Sequence, residues 1–382
     1  LKISVLIPYR GRNKEVVKNC LEALQNQSLS DYEVILLDYG STQGVSEKIE
    51  TLCTHYSKVR YIYSDARGYF WSCSQAFNQA LYHAKGEYLV MLDIDLVVPR
   101  HFLNFALGEW SEENFLIFKV FYLPPRFTDW QGLRSNPERY MNAEKSEYGG
   151  LGNIFVLKKH LQQTGGYDTF YRFWGEEDID MARKLNKIGL EAKIIQPESL
   201  PIFHQWHPKV SDYLPKGWQA TILAHSKEKN NHLSLDSLQL FDGQPITKTQ
   251  ERPVLELLDK KTWKEKDIFN FKFPVEHSYV SFIRRFNYLK SGEFLYISQT
   301  FSEVQPQKGS RLGKFLKKTN LLLKRLKISY RWVEIAKLET EIIYSSTIAD
   351  YLFYFLLDFE AEIADYYFEN QEESVFLVVI KK

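Results

Sequence analysis

Cysteine is scarce in this sequence of 382 residues, with only Cys20, Cys53 and Cys73. An odd number at wide spacing supplies neither a disulfide framework nor a zinc knuckle, and it points to a reducing compartment. Net charge is nearly absent too: 49 Lys and Arg stand against 48 Asp and Glu, so no global field selects nucleic acid or an anionic membrane. Long apolar runs are missing. The best stretch, residues 351–359, is too short to span a bilayer and is interrupted by Asp358. The chain opens directly on LKISVLIP, without the layout of a signal peptide. Neither GxGxxG nor GxxxxGK[ST] follows that first strand-like run, which excludes a Rossmann dinucleotide site and a P-loop. What remains is 44% hydrophobic and 25% charged, the make-up of a soluble globular chain. Aromatic residues are the one surplus, at 15%. Packing accounts for most of them, and stacking on sugars is their functional alternative.

Along residues 1–230 short apolar runs alternate with amphipathic stretches, the pattern of a βαβ sheet. Strands are expected over 3–8, 32–39, 59–64, 87–93, 115–122, 153–157 and 192–196, with a short one at 202–204. Helices are expected over 14–27, 46–56, 71–84 and 178–188, the last two stopped at Lys85-Gly86 and Gly189. Residues 124–147 read as loop. The polar segment 227–250 reads as the domain boundary, giving a domain at 1–230, a linker at 231–250 and an accessory domain at 251–382.

In an open α/β sheet, ligands bind beyond the carboxyl ends of the strands. Arg10 and Arg12 fall after the first strand, Asp38 at the end of the second, and Asp93 and Asp95 after the EYLVM run. Two carboxylates two residues apart share one side of an extended chain and can hold a hard divalent cation. The pair closes a strand that is otherwise apolar, where an unpaired charge is costly, and this favours function over a chance surface pair. A second cluster, FWGEEDID, crowds Glu176, Glu177, Asp178 and Asp180 at a helix N-terminus beside Trp174. Capping accounts for one or two of these acids. The others suit removal of a proton from a sugar hydroxyl. His204 and His207 in FHQWHP are candidate imidazole ligands, and spacing does not choose between them.

Together, IPYRGRN, LLDYGST and GEYLVMLDIDLVVP, followed by GGLGNIFVLKKHLQQTGGYDTFYRFWGEEDID, resemble the family 2-type glycosyltransferases of the GT-A fold. The last segment is similar to one shared by β-1,4-galactosyltransferases, polypeptide N-acetylgalactosaminyltransferases and bacterial chondroitin-type polymerases. The resemblance covers residues 1–230. It implies a mixed α/β sheet flanked by helices and an inverting transfer of a hexose or N-acetylhexosamine from a UDP-sugar to a glycan or glycolipid hydroxyl, with Mn²⁺ or Mg²⁺. It also implies that Pro8, Tyr9, Arg10, Arg12, Asp38, Arg67 and Asp93 line the nucleotide-sugar pocket. Asp95, His204 and Asp93 are then the metal ligands, with His207 second choice to His204. Asp178 is the matching base and Glu177 its acidic neighbour, while Trp174 and residues 150–152 line the sugar subsites. Two positions depart from the family pattern: Tyr39 replaces an Asp, and Glu176 stands where a second glycine is usual.

Competing readings are a sugar-nucleotide nucleotidyltransferase, disfavoured by the missing glycine- and lysine-rich loop, and a non-catalytic sugar-binding module. The tail is an accessory α/β or mainly helical domain. Its KSGEFLYIS and FLVVIKK runs resemble the end of a class I methyltransferase, but no glycine-rich cofactor loop precedes them. Residues 308–331 hold nine Lys and Arg and no acid, while 332–374 hold eleven Asp and Glu against one Lys. Pairing of the two blocks is the simpler reading, and peripheral membrane contact through 308–331 the functional one. A cytoplasmic protein, working at the inner membrane face in surface polysaccharide synthesis, is the resulting expectation.

Overall fold

In the computed structural model, the described residues are 2–145, 152–207, 215, 217–232, 252–260, 264, 267–271, 275–300, 345–371 and 374–382. The basic segment 308–331 and Gly150 lie outside them. The chain divides into two compact units, Leu1–Glu251 and Arg252–Lys382.

The first unit is built on β1 (Ile3–Tyr9), β2 (Tyr32–Tyr39), β3 (Val59–Ser64) and β4 (Tyr88–Met91), joined by helices α1 (Lys14–Gln25), α2 (Gln43–Cys53) and α3 (Cys73–His83). After β5 (Leu96–Val97) and α4 (Phe102–Glu109) come β6 (Asn114–Phe118), β7 (Phe121–Tyr122), α5 (Trp130–Ser135), β8 (Glu144–Lys145), β9 (Ile154–Leu157) and α6 (Lys158–Gln163). Helix α7 (Glu177–Lys187), β10 (Glu191–Ile195), β11 (Phe203–His204) and α8 (Trp218–His232) complete it. A seven-stranded mixed sheet runs β10-β6-β9-β4-β1-β2-β3, and a four-stranded one runs β5-β11-β7-β8.

The central strands β1, β2, β4, β6 and β9 are buried on both faces because apolar residues occupy both parities, while the edge strands β3 and β10 are half-buried and largely exposed, respectively. Ile3, Val5, Ile7, Val34, Leu36 and Val90 pack toward Val17, Cys20, Leu21 and Leu24 of α1. Leu6, Ile35, Leu37, Leu89 and Met91 pack toward Ala76, Phe77 and Ala80 of α3 and Met181 and Leu185 of α7. Buried Ser4 is satisfied by donating to Glu33 and accepting from the Gly86 N–H, both at 2.7 Å. A Cβ on Gly86 would lie 2.4 Å from the Ser4 nitrogen, so this close approach requires glycine. Helix α1 starts where the Asn13 side chain accepts from the Glu15 N–H (2.8 Å), and α3 where Ser72 accepts from Gln75 (3.1 Å).

Three local expectations need correction. The strand expected over 115–122 is two strands in different sheets: Lys119 still donates its N–H to Ile195, but Phe121 donates to Ile202. The expected loop 124–147 contains α5, capped by Asp129, whose carboxylate accepts from the Gly132 N–H at 3.0 Å. Residues 93–95 are not extended. They turn between β4 and β5, with the Leu96 N–H reaching the Asp93 carbonyl at 3.2 Å.

The second unit holds α9 (Pro253–Lys260), α10 (Val275–Asn287), β12 (Phe294–Thr300), α11 (Ser345–Asp358), β13 (Ile363–Gln371) and β14 (Ser374–Lys381). Its antiparallel sheet runs β12-β14-β13. Phe282 and Phe286 of α10 meet Phe355 of α11 edge-on at 4.8 and 4.9 Å between ring centroids. Among the described residues no helix is long and apolar enough to cross a membrane.

Candidate active site

Strand order reverses between β1 and β4: β2 and β3 lie to one side of β1, β4 to the other, all parallel. A crevice beyond such a switch point is the expected ligand site of an open α/β sheet. The loop after β1 carries Arg10, Gly11 and Arg12 over it. Arg10 donates to the Tyr69 carbonyl at 2.7 Å, and the Gly11 N–H donates to Ser41 Oγ at 2.9 Å, tying this loop to the turn after β2. Gly40 in that turn has φ +79°, and a Cβ there would lie 2.5 Å from the Ala66 carbonyl carbon.

Asp95, only 5% exposed, gathers three partners. Its Oδ1 lies 3.4 Å from His204 Nε2, its Oδ2 3.2 Å from His207 Nε2, and Arg12 Nη2 is 3.6 Å from Oδ2. Pairing of β11 with β5 sets His204 opposite Leu96. The Gln205 N–H then donates to the Asp95 carbonyl at 2.8 Å. Buried Gln205 also accepts from Asn19 Nδ2 (2.9 Å) and donates to the Val16 carbonyl (3.0 Å), locking the histidine segment onto α1.

Burial alone would raise the Asp95 pKa, but the His207 hydrogen bond, His204 and Arg12 hold it below the usual carboxylate range. Burial lowers the His204 pKa and favours the neutral imidazole that a metal requires. One ligand atom from each of Asp95, His204 and His207 lies within 4.8 Å of the others. Asp95 Oδ1 is buried with no hydrogen-bond partner, the condition of a ligand atom awaiting a cation. One carboxylate oxygen and two imidazoles are a donor set for a divalent first-row metal ion. Both histidines therefore join Asp95, and Asp93 lies outside this set.

Asp93, Glu177 and Asp178 form a second acidic group. The Asp93 N–H donates to Asn153 Oδ1 at 3.2 Å, and a Cβ on Gly152 would lie 4.0 Å from Asp93 Oδ2. Glu177 accepts from the Gly175 N–H at 2.9 Å and Asp178 from the Ile179 N–H at 2.8 Å. Burial, then Asp95 and Asp178, push the Asp93 pKa up to about 7. Burial, then Asp178, push Glu177 up to about 8. Asp178 is raised by burial and by Glu176, and its own turn amides and Lys119 oppose the shift. Groups perturbed in this way are candidates for proton chemistry. Asp180 is a structural acid instead: it is buried and lies 3.5 Å from Lys184, which donates to the Gly166 carbonyl at 2.7 Å.

Other expected contacts sit differently. Pro8, Tyr9 and Asp38 are buried beneath the crevice. The Tyr9 hydroxyl donates to the Arg12 carbonyl at 3.0 Å. Asp38 accepts from the Ser41 N–H (2.8 Å) and the Tyr61 hydroxyl (2.7 Å), so it holds the turn after β2. Arg67 is engaged by Asp65 through two hydrogen bonds of 2.7 and 3.0 Å. Trp174 is 52% exposed, and Trp206, between the two histidines, 53%. Gln205, Asn153 and Lys119 are site residues that sequence reasoning missed. Position was the signal for two of them, since Gln205 adjoins His204 and Asn153 follows residues 150–152; Lys119, after β6, had none.

Residues 4–172 match the family described as Glycosyl transferase family 2. The glycosyltransferase GlyG of Streptococcus pneumoniae is 31% identical over 112 residues, 29% of this chain and 36% of that protein. Chondroitin synthase of Escherichia coli is 27% identical over 192 residues, 49% of this chain and 27% of its own length. Among solved structures, S. aureus TarS 1–349 in complex with UDP aligns at TM-score 0.42 and 15% identity, over 62% of this chain and 74% of that one. The chain thus spans about a third of GlyG and about a quarter of chondroitin synthase.

Proposed function

Since residues 4–172 carry a glycosyl transferase family 2 domain, we propose that the chain is an inverting, metal-dependent glycosyltransferase moving a hexose or N-acetylhexosamine from a UDP-sugar to a glycan hydroxyl. The carrying observation is the Asp95–His204–His207 cluster beside Asp93, Glu177 and Asp178 at the sheet's switch point. Asp95, His204 and His207 hold Mn²⁺ or Mg²⁺, which when bound neutralises charge on the departing diphosphate. Arg10 and Arg12, on the loop above, add fixed positive charge for the same phosphates. Asp178 accepts the proton of the acceptor hydroxyl as that oxygen attacks the anomeric carbon. Glu177, protonated near neutral pH, donates a hydrogen bond to a neighbouring sugar oxygen. Trp174 offers its exposed face to a sugar ring. Residues 252–382 serve the acceptor or assembly without chemistry of their own.

The test is thermal-shift titration of the full chain with UDP, GDP, dTDP and CDP, each with Mn²⁺ and with EDTA. A ligand at about 100 times its Kd adds about 2.7 kcal/mol of stability. Stabilisation by UDP that needs Mn²⁺ and disappears in Asp95→Ala is the expected result. No shift with any nucleotide in folded protein moves the reading to a non-catalytic sugar-binding module.

A further inference from the structure

The turn that presents the acids is strained. Phe173, Gly175 and Glu176 all have left-handed backbones, at φ +62°, +114° and +67°, and two of the three pay the steric penalty that glycine escapes. Glu176, which stands where a second glycine is usual, faces α8. There Ser226 Oγ donates to Glu176 Oε2 at 2.9 Å. Arg183 of α7 donates to the same Ser226 oxygen at 2.7 Å and lies 3.7 Å from the Glu176 carboxylate. Ser226 is 3% exposed.

The rest of α8 backs the same segment through one helical stripe. Trp218 packs on Phe170 and Phe173 at 5.8 and 6.2 Å between centroids. A Cβ on Gly175 would lie 2.7 Å from Ile222 Cδ1. His225 stacks on Phe170 at 3.7 Å and lies 3.0 Å from Asp168 Oδ2.

We propose that Glu176 is a positioning residue, its carboxylate fixed by Ser226 and Arg183 so that the strained turn aims Glu177 and Asp178 at the acceptor hydroxyl. This deepens the transferase reading and rests on Asp178 as base. A glycine here would relax the turn. The glutamate with its two partners holds one geometry, and an error of about 1 Å in such a geometry costs up to about 100-fold in rate.

Four variants of the full chain test it, read by UDP release from a panel of UDP-hexoses and UDP-N-acetylhexosamines with Mn²⁺, with glycan oligosaccharides added to accept the sugar and water taking it in their absence. Glu176→Gly should melt near the wild-type temperature, since glycine adopts positive φ freely, while Ser226→Ala, which removes the buried hydroxyl between Arg183 and Glu176, should melt lower yet stay folded at the assay temperature. Both should lose about 10- to 100-fold in kcat with donor KM and UDP affinity unchanged. Ser226→Thr, which keeps the hydroxyl, should restore most of the rate. Amide exchange over 174–178 should quicken in the first two variants. Wild-type kcat in both, with Asp178→Asn inactive, overturns the positioning role and leaves the base in place. Activity surviving in Asp178→Asn overturns the base and the positioning role together. Should no donor turn over in wild type, the transferase reading falls and takes the positioning role with it, while unchanged amide exchange refutes the clamp itself.

Discussion

The Gln205 N–H donates to the backbone carbonyl of Asp95 at 2.8 Å, so the histidine segment and the Asp95 turn are one hydrogen-bonded unit. The Gln205 side chain extends that unit to Asn19 and Val16 of α1. Gln205→Leu leaves a buried amide and carbonyl unsatisfied and should cost about 1–3 kcal/mol of stability. It should also weaken Mn²⁺ binding about 10- to 100-fold, as loss of ligand-orienting partners does elsewhere. Melting curves and calorimetric Mn²⁺ titration check both. Native Mn²⁺ affinity in a destabilised variant would assign Gln205 to folding alone.

Asp178→Asn should preserve the turn, because an amide oxygen still accepts from the Ile179 N–H, and should lower kcat about 10²- to 10⁴-fold. UDP affinity should not change, since the metal set and arginines are untouched. Glu177→Gln should instead raise the acceptor KM with a smaller effect on kcat. Steady-state kinetics with a fixed donor separates the two. Equal losses in both variants would make the pair, rather than Asp178, the unit of proton transfer.

Much of this arrangement was legible in the sequence because it depends on local pattern. The runs that became β1, β2 and β4 are apolar at both parities, which placed Arg10, Arg12, Asp93 and Asp95 at strand ends, while Asp38 turned inward to hold its own turn. The choice between His204 and His207 was not legible. Two residues three apart converge only if the chain curls after the strand, and here the rings end 5.0 Å apart on one carboxylate. Gln205 was marked only by its place beside His204, because its partners are 186 and 189 residues away. Helix α8 escaped for another reason: its inward stripe mixes Trp218 and Ile222 with His225 and Ser226, so apolar periodicity does not reveal it.

The raised carboxylates set the pH dependence of stability without metal. Glu177 titrates at about 8 and Asp93 at about 7 in the folded chain, against about 4 unfolded. The native state then binds more protons than the unfolded one, so stability falls as pH rises through this window. His83, His160 and His204 act in the opposite sense: burial lowers all three pKa values, so together they withdraw stability as pH falls below about 6.5. Melting temperature in EDTA should therefore rise as pH is lowered from about 8.5 to about 6.5, then level or turn over. Glu177→Gln should flatten the upper limb and melt higher than wild type at the alkaline end. A melting temperature that climbs with pH across this range would contradict the placement of both acids.

The second unit offers a separable test. Arg252 and Asp365, 8% and 3% exposed, pair through Arg252 Nε at 2.9 and 3.1 Å to the two carboxylate oxygens. Arg252 Nη2 also donates to the Tyr366 carbonyl at 2.9 Å, and the Val254 N–H donates to Asp365 Oδ2 at 3.3 Å. The pair therefore fastens the start of α9 to β13. Asp365→Ala strands a buried guanidinium and should destabilise this unit by about 3–5 kcal/mol. If the first unit binds the nucleotide by itself, a two-step melt should result, with Mn²⁺ and UDP raising only the upper transition. A single transition, lowered as a whole and still raised by UDP, would instead make residues 252–382 part of the cooperative unit that holds the nucleotide site.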